Sequence, residues 1–329
     1  MSAPHGSRRV VITGGSGFVG EHLVPYLLSR GAEDIAVLDR TTPASNDPRV
    51  RYVGTDLADG IAWSPVERVD VVYHLAAAAR EPGFTTEQYF RNNLQGTLRL
   101  VEWADRHGIG NIVFTSTMMV YGAREERMDE SSEPRPDTDY GESKRQAEEA
   151  LWKWQSAVPS RRLRVVRPAV IFGRNERNNF TKLHQALRRR AFAFIGRDST
   201  IKSCMYIKDF VPLLELLASD RGPYRLYNAA YPTPTTIRQI CDAMCAAYGW
   251  RRSIPTVPYR LARAAALPFE ALDAIGVART GIHRRRIDKL YASTNIAADR
   301  MRSLNFEPEF DLLDAFSDWK RDCADGPLQ

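Results

Sequence analysis

The sequence predicts an α/β fold: a parallel sheet covered by helices on both faces, with a smaller C-terminal lobe interleaved with returns to that sheet. Three observations predict it. Short strand-like runs at 10–13, 35–38, 50–53, 69–75, 112–116 and 164–166 are rich in Val, Ile and Leu, as strands buried on both faces are. Between them, 18–29, 90–106 and 140–155 carry apolar residues at helical spacing, so strand and helix alternate along the chain. The length of 329 residues exceeds the usual single domain, yet no Pro/Gly/Ser-rich linker divides it.

The first strand runs directly into Gly14, and Gly14, Gly17 and Gly20 form G-x-x-G-x-x-G at the start of the first helix. A turn without Cβ atoms lets backbone approach a pyrophosphate, and the helix N-terminus supplies N–H donors and positive potential. The second strand ends at Asp39, roughly 20 residues beyond the last glycine, where a carboxylate accepts hydrogen bonds from the adenosine ribose. A carboxylate there repels a 2′-phosphate; Arg40 offsets this in part, so NAD is favoured over NADP. Asp56 and Leu57 end the third strand, where they could hold adenine, a solvated loop being the alternative for Asp56. Residues 1–174 thus read as a dinucleotide-binding, doubly wound parallel sheet of the Rossmann type, and 175–329 mainly as a substrate-binding lobe. Segments near 204–240, with strand-like 205–207 and 224–228, are expected to return to the sheet. Helices are expected over 182–190 and 237–248, with helical spacing at 259–287 and in the tail at 311–322.

Tyr140 and Lys144 form Y-x-x-x-K, and on a helix this spacing puts phenol and ammonium on one face. A phenol of ordinary pKa is a poor base at neutral pH; a neighbouring cation favours phenolate, so the pair is expected to act in proton transfer. Such pairs are common by chance, and the neighbourhood decides. Upstream lies Ser116-Thr117-Met118-Met119-Val120-Tyr121-Gly122 at the end of a central strand, where parallel sheets bind ligands, so Thr117 would present its hydroxyl to the oxygen held by Tyr140.

Composition narrows the classes. With 43% hydrophobic and 26% charged residues the chain is an ordinary globular one, not a disordered or fibrous one. No apolar run has membrane-spanning length and the start has no signal-type run, which points to a cytoplasmic protein without membrane contact. The four cysteines have no metal-ligand spacing, so reduced thiols and no metal are expected. The net charge of +6 includes the runs 188–190 and 284–286, which lack interleaved aromatics. They read as solvated faces able to attract a diphosphate, not as a nucleic-acid site.

Taken together, the motifs T-G-G-S-G-F-V-G (13–20), Asp39, Asp56-Leu57, H-L-A-A-A (74–78), N-L-Q-G-T (93–97), S-T-M-M-V-Y-G (116–122), Y-G-E-S-K (140–144) and R-P-A-V-I-F-G (167–173) resemble the extended short-chain dehydrogenase/reductase family, in its nucleotide-sugar epimerase, dehydratase and ketoreductase branch. The resemblance runs from Val10 almost to Arg321. It implies that Thr117, Tyr140 and Lys144 are catalytic. It further implies that the cofactor lies along Phe18 and Val19 of the turn, along Leu75, Ala76, Ala77 and Ala78, and beside Asn93, Thr115, Arg167, Pro168 and Val170. In the dehydratase branch the positions of Met118 and Met119 typically hold an acid pair; a thioether transfers no proton, so dehydration is disfavoured and an apolar wall for the sugar is expected. Asn178 and Asn179 resemble the segment that grips the nucleotide. Lys202 stands where an arginine often meets the diphosphate, a plain surface lysine being the alternative. The implied activity is NAD-dependent epimerisation of a UDP- or dTDP-sugar, C4 favoured, in a homodimer built on the helices near Phe90 and Tyr140, where Trp152 and Trp154 are either contact surface or core. An NAD(P)H-dependent 4-ketoreductase stays open. So does a hydroxysteroid- or flavonoid-type alcohol dehydrogenase, given the Ala-rich 261–275. A non-catalytic NAD-sensing module is opposed by the presence of Thr117, Tyr140 and Lys144 together.

Overall fold

The strand-like runs become seven parallel strands: β1 (Arg8–Thr13), β2 (Ala32–Asp39), β3 (Val50–Gly54), β4 (Val71–His74), β5 (Asn111–Thr115), β6 (Arg162–Pro168) and β7 (Leu226–Ala229). Their order is β7-β6-β5-β4-β1-β2-β3, every pair parallel. The chain therefore winds outward from β1 to β3, returns to β4 and winds the other way. That reversal leaves a crevice at the carboxyl ends of β1 and β4. The computed structural model describes residues 8–42, 47–66, 68–81, 83–274 and 283–323.

Helix α1 (Phe18–Ser29) follows β1. A single helical turn, Thr86–Tyr89, is closed by a capping box between Thr85 and Gln88 and passes through a π-helical turn, Phe90–Gln95, into α2 (Gly96–Arg106). Helix α3 (Asp139–Ala157) starts at Thr138, whose side chain accepts from the Gly141 N–H at 3.1 Å. Leu100, Trp103, Ala147 and Leu151 of α2 and α3 pack on one sheet face with Val72, Ile112 and Val165. On the other face Leu23 and Leu27 of α1 join Phe210 and Leu214 of a later helix over Ile12, Tyr73 and Val113. Two buried faces explain why these strands lack polar alternation.

Beyond the sheet's sixth strand come α4 (Asn179–Arg188), α5 (Ile207–Ser219), α6 (Ile237–Tyr248), α7 (Tyr259–Ala265), α8 (Leu267–Ala274), α9 (Arg284–Tyr291) and α10 (Leu312–Asp322). Part of the predicted 259–287 helical region, residues 275–282, lies outside the described residues. Of the two expected returns, only β7 joins the sheet. Cys204–Tyr206 instead pairs with Val170–Phe172 in a separate two-stranded ladder. Two further parallel pairs, Arg124–Met128 with Thr294–Ile296 and Phe194–Ile195 with Thr256–Val257, knit the lobe together. Among the described residues no helix is long and apolar enough to cross a membrane. Cys204, Cys241 and Cys245 are buried free thiols, and no group of potential metal ligands is found among the described residues.

Candidate active site

The glycine turn sits at the crevice and is moulded against β4. A Cβ on Gly14, where φ is +71°, would lie 2.6 Å from the backbone of Ala76, and one on Gly20 would meet the backbone of Gly15. No larger residue fits between β1, α1 and the exit of β4. Leu75 and Ala76 hold that exit through bonds from their N–H groups to the Thr13 carbonyl (3.0 Å) and the Thr13 hydroxyl (3.4 Å). Gly17, exposed, caps α1 without any side-chain bond to its first N–H groups. Phe18 and Val19 are half-buried beside it. Nearby, at the end of β5, the Thr115 hydroxyl is buried with no hydrogen-bond partner. An open helix N-terminus, a cradle that any Cβ would fill and an unsatisfied hydroxyl at a strand end fit a dinucleotide.

Asp39 ends β2, as predicted, and its carboxylate accepts from the Ser16 N–H in the turn (3.0 Å) and the Thr41 N–H (3.1 Å). It thus faces the glycine turn. Arg40 bonds Asn92 at 3.2 Å and leaves the carboxylate uncovered. Asp56 caps a short 3₁₀ turn over Leu57–Asp59 and is paired with Arg91 at 3.0 Å, while Leu57 is buried against Gly96.

Tyr140 and Lys144 lie one turn apart in α3, both deeply buried at 8% and 1% exposure. The phenol packs with Ala78, Tyr89 and Met119, its ring 5.9 Å from that of Tyr89. Burial pushes its pKa up to about 12; the Thr117 hydroxyl, which hydrogen-bonds it, works in the opposite direction. The phenol therefore stands above its ordinary value, where the sequence reading expected it below. The lysine is itself drawn to about 7 by burial, against the raising influence of Glu148, and its ammonium sits 4.0 Å over the Phe114 ring. Two buried titratable groups moved from their ordinary values stand side by side here, which marks the place as a candidate site.

Several residues that the sequence reading missed hold this pair. Glu148 continues the spacing by one more turn: it accepts from Ser116 at 2.5 Å and forms a buried bidentate pair with Arg167 at 2.9 and 2.6 Å. The signal was there in Tyr140, Lys144 and Glu148 at i, i+4 and i+8. The same pair engages the Arg167 side chain: its guanidinium is held by Glu148 and lies over the Tyr121 ring, which leaves its backbone as the part that could pass the cofactor. Pro168 and Val170 follow at the strand end, with Val170 half-buried. From the π turn Asn93 accepts from the Ala78 N–H (2.7 Å) and donates to Ser143 (2.9 Å), tying β4's exit to α3, whereas the Asn92 side chain bonds Arg40 and the Gln88 carbonyl. His74, bonded to Thr13 and Thr97, is kept neutral by burial and the nearby Lys144. Ala77 lies half-buried between Ala76 and Ala78.

The predicted substrate residues divide. Thr117 and Met119 face Tyr140, whereas Met118 turns to Tyr121, Met128 and Ile296. Asn178 and Asn179 are exposed, and the start of α4 is closed by the buried Glu176 carboxylate, which accepts from both of their N–H groups at 2.7 Å; that helix end is already satisfied by an internal anion. The Lys202 ammonium donates to the carbonyls of Lys289 (2.9 Å) and Ala292 (2.5 Å), and burial together with Lys289 lowers it to about 8. It closes the carboxyl end of α9 and is therefore not a plain surface lysine. Trp154 is buried and donates to Asp105 at 2.7 Å, and Trp152 packs partly against the same core.

Comparison with known proteins agrees with this geometry. Residues 10–230 match the model of the NAD dependent epimerase/dehydratase family. The chain is 29% identical over 309 residues to the N-acetyl-alpha-D-glucosaminyl-diphospho-ditrans,octacis-undecaprenol 4-epimerase of Escherichia coli O157:H7, covering 92% of this chain and 91% of that one. It is 35% identical over 155 residues to the UDP-glucose 4-epimerase of Streptococcus mutans, 44% of this chain and 46% of that one. Its fold matches the crystal structure of a UDP-galactose 4-epimerase with a TM-score of 0.71 at 22% identity, over 96% of this chain and 98% of that one. With a glycine turn shaped for a dinucleotide, a carboxylate at the end of β2 and a buried tyrosine–lysine pair at the switch point, the chain belongs to the NAD-dependent epimerase/dehydratase family and is an enzyme that uses NAD.

Proposed function

We propose that this enzyme inverts C4 of a sugar carried on a diphosphate. The observation that carries the reading is the pairing of Tyr140 with Met119: the phenol is the proton-transfer group of the α3 face, and the adjoining positions of the 117–119 segment hold thioethers, which cannot deliver the second proton that elimination of water requires. The 4-epimerases among the relatives support the choice of carbon. Residues 1–174 would hold the cofactor and 175–329 most of the substrate.

Bound NAD supplies a hydride acceptor and a positive charge that favours phenolate. Tyr140 takes the proton of the C4 hydroxyl as the C4–H bonding pair departs as hydride, leaving a ketone; Thr117 hydrogen-bonds the same oxygen and fixes its direction. Asn93 and Ser143 hold Ala78 and α3 in register, so that the phenol and the cofactor path keep their spacing. Once the keto-sugar presents its other face, Tyr140 gives the proton back to the same oxygen as C4 regains a hydride, which the bound cofactor would supply. No net redox change results. A 4-ketoreductase would use the same side chains but consume reduced cofactor.

The two readings separate in one assay. With no cofactor added, the purified enzyme is expected to interconvert the C4 epimers of a UDP-hexose or of a polyprenyl-diphospho-hexose, followed by NMR. Stoichiometric NAD(P)H consumption on a 4-keto-sugar, with no inversion of either hexose, would replace epimerase by reductase. The proposal includes a homodimer: the π turn, α2 and α3 leave a groove with Leu94, Leu98, Val101 and Ala150 among charged residues such as Arg145, Glu149 and Lys153, Leu98 being exposed, which the equivalent groove of a second copy would cover.

A further inference from the structure

We propose that α7 and α8 dock this enzyme on an anionic membrane surface, so that its substrate is presented by a lipid carrier. The inference rests on the reading of the substrate as a diphosphate-linked sugar, and it selects the lipid-borne form of it.

The observation is an apolar surface outside the site. Leu261, Leu267, Phe269 and Leu290 are 61%, 47%, 37% and 43% exposed, four of the larger exposed apolar side chains of the chain, gathered in α7, α8 and α9. The backbone at Ala266 stays helical between α7 and α8, so one period applies across both. Leu261, Ala264, Ala265 and Pro268 then fall at i, i+3, i+4 and i+7 on one face, and all four are exposed. Ala262 and Ala266, on the opposite side, are buried. Along a helix of a lobe this small, an apolar stripe would ordinarily face inward; here it faces water.

Charge selects the occupant. The stripe is flanked by exposed Arg260, and Arg263, Arg284, Arg285, Arg286 and Lys289 are exposed around it. Four of these cations are paired, Arg284 with Glu270 at 2.8 Å, Arg263 with Asp288 at 3.2 Å, and Arg285 and Lys289 with Glu81, but with Asp273 of the sequence counted too the six cations still outnumber the four carboxylates, so the net charge around the stripe is positive. An apolar face with basic flanks is the pattern of a helix lying in the interface of an anionic bilayer, where apolar insertion and attraction to anionic headgroups add. A second protein with an acidic apolar face would satisfy the same helix, but the position relative to the site favours the membrane.

That position is fixed by α9. Tyr259 of α7 stacks on Tyr291 at 4.5 Å and donates to Asp288 at 2.7 Å, so α7 and α9 are packed together. Arg285 and Lys289 of α9 pair with Glu81 at 3.5 and 3.2 Å. Glu81 lies three residues beyond Ala78, which packs against Tyr140. The docking face is thus joined through one helix to the loop beside the reacting phenol. A sugar held at a bilayer by a diphosphate anchor would reach the site from that side, in keeping with the long match to an epimerase of an undecaprenyl-diphosphate sugar. This departs from the sequence expectation of no membrane contact only in placing a helix on the surface; among the described residues no helix is long and apolar enough to cross a bilayer.

The test is co-sedimentation with vesicles of phosphatidylcholine containing phosphatidylglycerol, against vesicles of phosphatidylcholine alone. The parent enzyme is expected to bind the anionic vesicles about tenfold better, and 1 M salt or either variant, Leu261→Glu with Phe269→Glu, or Arg260→Ala with Leu261→Ser, to reduce that binding about tenfold. All variants should keep the parent's unfolding midpoint and its turnover of a soluble UDP-hexose. Equal sedimentation with both vesicles, or variants that bind as the parent does, overturns the proposal; so does a parent that binds neither vesicle but changes oligomeric mass when Leu261 is replaced, which would assign the face to protein contact. Sedimentation requires no turnover, so its outcome is independent of whether the epimerase assay succeeds.

Discussion

Replacing Tyr140 by phenylalanine is expected to lower turnover about 10³-fold while leaving the fold and NAD retention intact. The ring is surrounded by Ala78, Tyr89 and Met119, and phenylalanine fills the same volume, so only the phenolic oxygen is lost. Thr117 still accepts from the Met119 N–H at 3.2 Å, while its O–H loses the phenol oxygen, a cost of about 1 kcal/mol that leaves the fold in place. The size of the effect follows from the chemistry: without the oxygen, the C4 hydroxyl has nowhere to send its proton as the hydride leaves. The measurement is kcat of the variant beside its unfolding midpoint and its content of bound nucleotide. A kcat within about tenfold of the parent would remove Tyr140 from the reaction.

The second large effect concerns stability, and its sign runs against intuition. Replacing Lys144 by methionine is expected to abolish turnover and yet to stabilise the nucleotide-free enzyme at pH 6. Burial draws the ammonium to about 7, from an ordinary 10.5. In the window between those values the unfolded chain binds more protons than the folded one, so stability rises as pH rises through it. Below about pH 7 the full cost of the buried charge is present, on the order of a few kcal/mol for a shift of this size. The Phe114 face and Glu148 offset part of it. Methionine has nearly the same length and no charge, so the melting temperature of K144M should exceed the parent's at pH 6 and converge with it toward pH 10. A variant less stable than the parent at pH 6 would show that the ammonium is fully compensated in the fold. The expected result identifies Lys144 as a group kept for chemistry at the expense of stability.

Much of this was legible from the residues. Helix α1 begins where the glycine turn ends, and α6 matches its predicted limits because Thr236 and Gln239 form a capping box at one end and Gly249 adopts the left-handed conformation at the other. The central strands were readable because both of their faces are buried. Other elements leave no local trace. Arg124–Met128 is charged and pairs with Thr294–Ile296 far along the chain, so its strand character comes entirely from its partner. The π turn that brings Asn93 to Ala78 breaks the helical period with no glycine or proline inside it, and Gly96 just after it is helical and gives no sign of the extra residue. Lys202 was placed by register with a family motif, but the carbonyls it binds belong to residues nearly ninety positions later. Arg167 shows the same limit on a smaller scale: sequence put it beside the cofactor path, and only the face on which it leaves β6 decides that its side chain meets Glu148.

The central claim is that hydride leaves C4, stays within the site and returns to the same carbon. Its most direct test is the enzyme's reaction with a diphosphate-linked hexose carrying deuterium at C4, with no cofactor added. The account predicts that both epimers at equilibrium keep the label at C4, with none appearing in water and none drawn from it. Exchange of the label with solvent would mean that the carbon is inverted through a proton instead of a hydride, and would contradict the mechanism built on Tyr140 and NAD.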